Sequence, residues 1–294
     1  MTRLTPDQLD SQYNNRARIP DHAQIFERWA AASALAREKS LCHIDIGYGP
    51  DPSETLDVFT TPRANAPVLV FIHGGWWRSL DKRDHSFIAP AFTQAGAMVV
   101  VPNYALCPAV TIEAITLQMV RALVWVYRHA ARYGGDPQRI VVAGHSAGGH
   151  LAAMLLSCRW QDVMPDLPAQ LVRSALSISG LFDLEPLRRT PYLQADLRLT
   201  PASVARLSPA RFARPQGRLI ATVGADESEE FLRQNQLIRA AWGADAVPVC
   251  EAIVGAHHLN VLHALADPDA RLHALALELL GTGSSMDEND YHSL

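Results

Sequence analysis

The stretch "RIVVAGHSAGGH", Arg139 to His150, decides the fold of this 294-residue chain. An apolar run, Ile140 to Ala143, leads into Gly144-His145-Ser146-Ala147-Gly148, and a helix-forming run, "HLAAMLL", follows. A serine driven to the end of a buried strand, with glycine two positions away on each side, predicts a very tight strand-to-helix turn. The apex residue is forced into strained backbone geometry, and the residues two positions away must lack bulk. The gain is chemical. The Ser146 hydroxyl stands clear of the sheet at a helix N-terminus, whose N–H groups and dipole favour developing negative charge. The Ala147 N–H, directly after it, would face a substrate oxyanion.

Outward from this turn, short β-branched runs alternate with longer amphipathic stretches. Strands are predicted at Leu41–Tyr48, Glu54–Thr60, Pro67–His73, Ala97–Pro102, Arg139–Gly144, Arg173–Ser179, Arg218–Gly224 and Val247–Gly255. The middle ones are continuous apolar runs, the pattern of a parallel sheet buried on both faces and covered by helices. A helix is predicted over Thr111–Tyr133, where Ile112, Ile115, Met119, Leu123 and Val126 recur at three- and four-residue spacing. Others follow at Ser146–Cys158, Glu229–Trp242 and Leu259–Leu280, the last containing Pro268 and so either two helices or one with a kink. The alternation argues a doubly wound α/β fold, read as a single domain over residues 1–280. Residues 181–213, rich in Arg, Pro and Leu, sit where a crossover should be shorter and read as a small helical lid inserted in that domain. The polar stretch 281–294 reads as a flexible tail.

Composition bounds the partners. With 48% hydrophobic and 19% charged residues the chain has ample material for a core, and disorder is excluded for most of it. A formal net charge of -4 gives no electrostatic reason to expect nucleic acid or an anionic membrane. No run approaches the roughly 20 apolar residues of a membrane helix. The N-terminal "MTRLTPDQLDSQYNNRARIP" shows no apolar signal segment. Cys42, Cys107, Cys158 and Cys250 are scattered, without CxxC spacing, and read as reduced thiols of a cytoplasmic protein. The 12 histidines form no HExxH or comparable cluster, so neither a metal nor a cofactor is expected. The expected partner is a small molecule; a homodimer is left open.

A serine hydroxyl needs a base, and the base needs an orienting acid. Each should lie just past the end of a later strand, where loops gather at the carboxyl edge of the sheet. Asp226, directly after "RLIATVGA", is the predicted acid, while Glu227, Glu229 and Glu230 lie further on and read as the acidic first turn of a helix. Asp245 sits at the wrong end of the next strand. The base falls in "GAHHLNVL", where His257 and His258 are adjacent and cannot both face the serine. Position after the strand does not choose between them. His73 and His145 flank backbone features, His150 lies one helical turn past the serine, and His263 and His273 read as helix surface. The stretch "FIHGGWW", Phe71–Trp77, ends an earlier buried strand. Gly74 and Gly75 let the backbone pass close to a ligand, and the N–H groups of Gly75 and Trp76 are the expected partners of Ala147 in an oxyanion hole, with His73 bracing the loop.

Together these motifs resemble the α/β-hydrolase superfamily and, more narrowly, its kynurenine formamidase (arylformamidase) branch. His73-Gly74-Gly75-Trp76-Trp77 is similar to the branch's HGGxW signature, and Gly144–Gly148 to its GHSAG elbow. Asp226 with Glu230-Phe231 looks like its acid region, and "HHLN" stands at its terminal histidine motif, which aligns His258 with the base. The segment "SGLFDLEPL", Ser179–Leu187, looks like the start of its lid. The likeness runs from Pro67 to Val261; His257, Leu259 and Asn260 depart from the acidic, aromatic and acidic residues usual around the base. The resemblance implies an α/β-hydrolase fold, with an eight-stranded, mostly parallel sheet and helices on both faces. It implies a Ser146–Asp226–His258 triad and hydrolysis of a small acyl group from an aromatic amide or ester, foremost N-formyl-kynurenine. For such a substrate Trp76, Trp77, Tyr104, Phe182 and Tyr192, with Gly74 and His257, are the candidate pocket, although each aromatic also reads as core or lid packing. The alternatives are a carboxylesterase of broad short-chain range with the same triad and, at a greater distance, a non-catalytic ligand-binding protein on the same fold.

Overall fold

The computed structural model describes residues 4–282. The tail expected over 281–294 therefore lies, from residue 283 on, outside the described residues. All eight apolar runs form strands: β1 Cys42–Gly47, β2 Thr55–Phe59, β3 Ala66–Ile72, β4 Met98–Pro102, β5 Gly135–His145, β6 Ser174–Ile178, β7 Arg218–Gly224 and β8 Val249–Ile253. They make one sheet in the order β1-β2-β4-β3-β5-β6-β7-β8. Strand β2 is antiparallel to both β1 and β4, and every other pairing is parallel.

The continuous apolar strands have a simple cause. In β3, Val68, Val70 and Ile72 pack with Ile115, Met119 and Leu123 of helix Ile112–His129 and with Leu151 and Leu155 of helix Ala147–Leu156. Leu69 and Phe71 point the other way, into a second core with Phe92, Leu262, Leu272 and Leu275. Alternate residues of a strand enter opposite layers, so a strand covered on both faces must be apolar at every position, and all seven residues of β3 are buried. The stretch Leu259–Leu280 resolves into two helices, Val261–Ala266 and Arg271–Leu280, with Pro268 in the turn between them.

Three features position the site. The chain leaves β3 for β4 on one side and returns to β5 on the other, so the loops after β3 and β5 part at the carboxyl edge and open a crevice there. Between β6 and β7 lie three short α-helices, Glu185–Arg188, Pro191–Leu197 and Pro201–Leu207, each with proline in its first turn, where a missing N–H is harmless. The N-terminal helices Pro6–Tyr13, Asn15–Arg18 and His22–Lys39 run across the same edge. They are tied down at several points. The Tyr13 hydroxyl donates to Glu230 Oε2 at 2.7 Å, the Tyr192 N–H to Asp10 Oδ1 at 2.8 Å, and Arg189 Nη2 to the Leu4 carbonyl at 2.7 Å. Among the described residues no helix is long and apolar enough to cross a membrane, and the four cysteines are unpaired.

Candidate active site

Ser146 sits at φ 57°, ψ -117°, a conformation that costs a side-chain-bearing residue about 1–3 kcal/mol. The turn is held by the Ser146 N–H, which donates to the Ile178 carbonyl at 2.8 Å and prolongs the β5–β6 ladder past the strand end. The flanking glycines answer a steric demand. A Cβ at Gly144 would lie 2.1 Å from the Gly148 carbonyl oxygen, and one at Gly148 would lie 2.0 Å from that of Ile72. Helix Ala147–Leu156 begins at the next residue, so the Ala147 N–H has no acceptor within the helix.

Past the ends of β7 and β8 two side chains converge on this serine. His258 Nε2 lies 3.0 Å from Ser146 Oγ, and His258 Nδ1 donates to Glu227 Oε2 at 2.6 Å. The other carboxylate oxygen of Glu227 accepts the Gly224 N–H at 2.7 Å and the Ser179 hydroxyl. The imidazole is clamped between Phe231 and His145, at ring-centre distances of 4.5 and 4.7 Å. His145 Nε2 also donates to the His258 carbonyl at 2.7 Å. Ring, acid and serine are therefore held in one geometry before any ligand arrives.

The acid is not the expected Asp226. In the turn after β7 the Asp226 N–H bonds to the Ala256 carbonyl at 2.9 Å, and the Glu227 N–H returns to the Gly224 carbonyl at 3.2 Å. One step along such a turn reverses the side chain's direction, so Asp226 faces solvent and Glu227 folds back beneath the strand end. Nor does Glu227 belong to the following helix. That helix starts at Glu229 with Ser228 as its N-cap, and the Ser228 oxygen accepts the Phe231 N–H at 3.4 Å. Glu229 and Glu230 do form its acidic first turn. Reading Ser228 as a cap is the signal that separates Glu227 from them. Of the adjacent histidines, His257 turns away, its Nδ1 accepting the N–H groups of Leu259 and Asn260 at 3.2 and 3.3 Å.

The loop after β3 completes the setting. Gly75 has φ 105°, and Trp76 and Trp77 both have φ 56°. A Cβ on Gly74 would lie 3.1 Å from that of Ser146, so this loop runs directly against the elbow. Its carbonyls are tied back into the protein. The Tyr104 hydroxyl donates to His73 O at 2.9 Å, His73 Nδ1 to Gly74 O at 2.8 Å, and the N–H groups of Arg78 and Ser79 to Gly75 O at 3.0 Å each. Gly75 and Trp76 then present N–H groups where both line a cavity with Ser146 and His258.

The cavity walls differ from those expected. Trp76 and Tyr192 do line it, but Trp77, Tyr104, Phe182, Gly74 and His257 do not. Trp77 is fully buried and packs edge-on against His150 at 5.0 Å. Tyr104 stacks on His73 at 4.2 Å. Phe182 is likewise buried, its N–H held by Gln234 at 2.8 Å. His257 lines a separate outer depression with Asp226 and Arg18. In their place stand Phe26, Trp29, Leu80 and Leu259, with Asn15, Arg16, Arg78 and Ser79 as the polar rim. Arg78, Ser79 and Leu80 directly follow the glycine loop and Leu259 follows His258, whereas Asn15, Arg16, Phe26 and Trp29 lie far from every motif, and no local pattern marks them.

The family model described as BD-FAE matches residues 56–169, from β2 to just beyond the elbow helix. A kynurenine formamidase from Salmo salar is 30% identical over 292 residues, covering 95% of this chain and 95% of its own. One from Danio rerio is 29% identical, covering 95% of this chain and 97% of its own. The chain belongs to the kynurenine formamidase family. It is a serine-dependent hydrolase with the α/β-hydrolase fold. A crystal structure of a candidate thioesterase from a Silicibacter species superposes with a TM-score of 0.80 at 32% identity, covering 91% of this chain and 98% of that one.

Around the site this family member buries several histidines whose work is structural. His150 Nε2 donates to the Leu207 carbonyl at 2.8 Å, tying the elbow helix to the helices between β6 and β7. His273, expected on a helix surface, is buried against Phe92 and donates to the Leu265 carbonyl at 2.9 Å. Burial pushes His85 down to about 3, helped by its neighbour His73, and pushes His150 down to about 4. The unfolded chain would protonate both near the ordinary value of 6.5. Below that pH the unfolded chain binds more protons than the folded one, so acid favours unfolding. Their contribution is fully present above about pH 6.5 and is lost as pH falls toward 4, at about 1.4 kcal/mol per pH unit for each histidine. Urea unfolding at pH 7.5, 6 and 5 is expected to show this decline; a flat profile would contradict it.

Proposed function

We propose that the protein is an arylformamidase that hydrolyses N-formyl-kynurenine to kynurenine and formate through a formyl-enzyme on Ser146. The observation that carries this reading is the continuous hydrogen-bonded chain Glu227–His258–Ser146 at a cavity walled by aromatic side chains, in a member of the kynurenine formamidase family. As Ser146 Oγ attacks the formyl carbon, His258 takes its proton. Glu227 keeps Nδ1–H pointing inward and stabilises the imidazolium. The N–H groups of Ala147, Gly75 and Trp76 receive the oxyanion, each worth about 3 kcal/mol of transition-state stabilisation. His258 then protonates the departing aromatic amine, and water repeats the sequence on the formyl ester with His258 again as base. The aromatic leaving group lies against Trp76 and Tyr192, which makes the segment 181–213, the source of Tyr192, the lid of this site. The same reading places the enzyme in the cytoplasm, and its four unpaired thiols support a reducing compartment.

The test is a paired rate measurement on N-formyl-kynurenine and a short-chain nitrophenyl ester. The expected result is a kcat/KM for the formamide at least about 10-fold above that for the ester, because the cavity binds the whole kynurenine body as well as the acyl group. Rapid ester turnover with negligible formamide turnover would keep the serine chemistry and make the protein a carboxylesterase instead.

A further inference from the structure

The cavity has a polar wall that this chemistry does not use, and it comes from the N-terminal segment. Helix Asn15–Arg18 puts Asn15 and Arg16 on the same cavity as Ser146 and His258. The Arg16 guanidinium makes a long 3.5 Å hydrogen bond to Ser79 Oγ and lies over the Phe26 ring at 5.7 Å. Among the described residues no carboxylate stands within ion-pair distance of it. The other cation at this cavity, Arg78, differs: Asp196 neutralises it and the Tyr192 carbonyl accepts from it at 2.9 Å. Beside Arg16, Asn15 is only 7% exposed, and its Nδ2 has no acceptor in the protein.

A buried amide donor without an acceptor is costly unless something supplies one. An unpaired guanidinium next to it suits an anion, and its planar fork takes a carboxylate through two parallel N–H···O bonds. The segment is anchored in advance by the Tyr13–Glu230 and Tyr192–Asp10 hydrogen bonds, so little order is lost when a ligand docks. Resting on the acyl-transfer reading above, we propose that Arg16 and Asn15 form a subsite for a carboxylate carried by the substrate's leaving group. The N-terminal segment then selects acyl amides and esters that bear a carboxylate over those that lack one. Both residues act on binding, at a distance from the reacting carbonyl.

Two substrate pairs test this: N-formyl-kynurenine against formanilide, which lacks the whole amino-acid side chain, and 4-carboxyphenyl acetate against phenyl acetate, which differs in the carboxylate alone. In Arg16→Gln the ratio of kcat/KM for the carboxylate-bearing over the carboxylate-free substrate is expected to fall about 10-fold, the loss of one charge-assisted contact. The change should appear in KM for the carboxylate-bearing substrate rather than in its kcat. Arg16→Lys should recover part of the ratio, and added salt should lower it in the parent enzyme. A ratio unchanged by Arg16→Gln in both pairs overturns the subsite. Were the formamides not turned over at all, the ester pair would still read it, so the two proposals fail separately.

Discussion

Replacing Ser146 with Ala is expected to lower kcat by about 10⁶, and replacing Glu227 with Gln by about 10⁴, whereas Asp226→Asn should stay within about twofold of the parent. The contrast follows from who donates to whom. Gly224 N–H and the Ser179 hydroxyl both donate to Glu227 Oε1. A glutamine there would keep its carbonyl oxygen toward those donors and turn its NH₂ toward His258. Nδ1 would then have to accept, placing the ring proton on Nε2, which faces Ser146 Oγ at 3.0 Å. The base is thereby occupied by its own proton, and the charge that stabilises the imidazolium is gone as well. Asp226 is exposed and touches neither partner. Because the groups act as a unit, Ser146→Ala combined with Glu227→Gln should be no slower than Ser146→Ala alone. Steady-state rates of the four variants check this, with near-ultraviolet circular dichroism confirming that each is folded. A slow Asp226→Asn beside an unimpaired Glu227→Gln would return the acid to Asp226.

The second large effect concerns shape. Gly148→Ala places a Cβ 2.0 Å from the Ile72 carbonyl oxygen and 2.7 Å from that of His73. Both are backbone atoms, one at the end of the most deeply buried strand, so no side chain can swing aside to make room. Either helix Ala147–Leu156 lifts from β3 or the loop carrying His73 to Trp77 is pushed out. Overpacking of this severity is expected to cost about 3 kcal/mol or more of stability. A shift of Ser146 by about 1 Å relative to His258 would lower kcat by about 10²-fold even in the molecules that fold. Urea unfolding and kcat, measured on the same preparation, separate the two losses. Parent-like values for both would mean that the close approach at Gly148 is not what demands glycine.

The parts of this molecule that are legible in the chain mostly have a local cause; the exception is Gly148, whose requirement for glycine comes from Ile72 in β3. The eight strands read correctly because a buried parallel strand must be apolar at each position, and β3 is buried at each. The elbow read correctly because the clash that forbids a Cβ at Gly144 comes from Gly148, four residues away. Pro268 separated two helices for an equally short-range reason, its missing N–H. His258 was a closer matter. Position left it level with His257, and the resemblance in "HHLN" favoured it. The structure supplies the physical reason, since His257 caps the following turn with its own ring.

Choices between faces and between distant neighbours are made by packing. Asp226 and Glu227 have similar chemistry and adjacent places, and a single step of a turn decides which carboxylate reaches His258. That step is set by contacts with Ala256 and Ser179, about thirty and fifty residues away. The cavity walls differ from the expected ones for the same reason. Aromatic residues near the motifs, Trp77 and Tyr104, went to brace the loop, while Phe26, Trp29 and Arg16 arrived from an N-terminal segment more than a hundred residues before the elbow. The sheet, the strained serine and the placement of its partners past later strands are written in short stretches of the chain. Periodicity and local sterics act within a few residues and leave their mark in composition. Which carboxylate faces inward, and which side chains close over the serine, depend on how separately encoded elements pack, and no short stretch of chain records that.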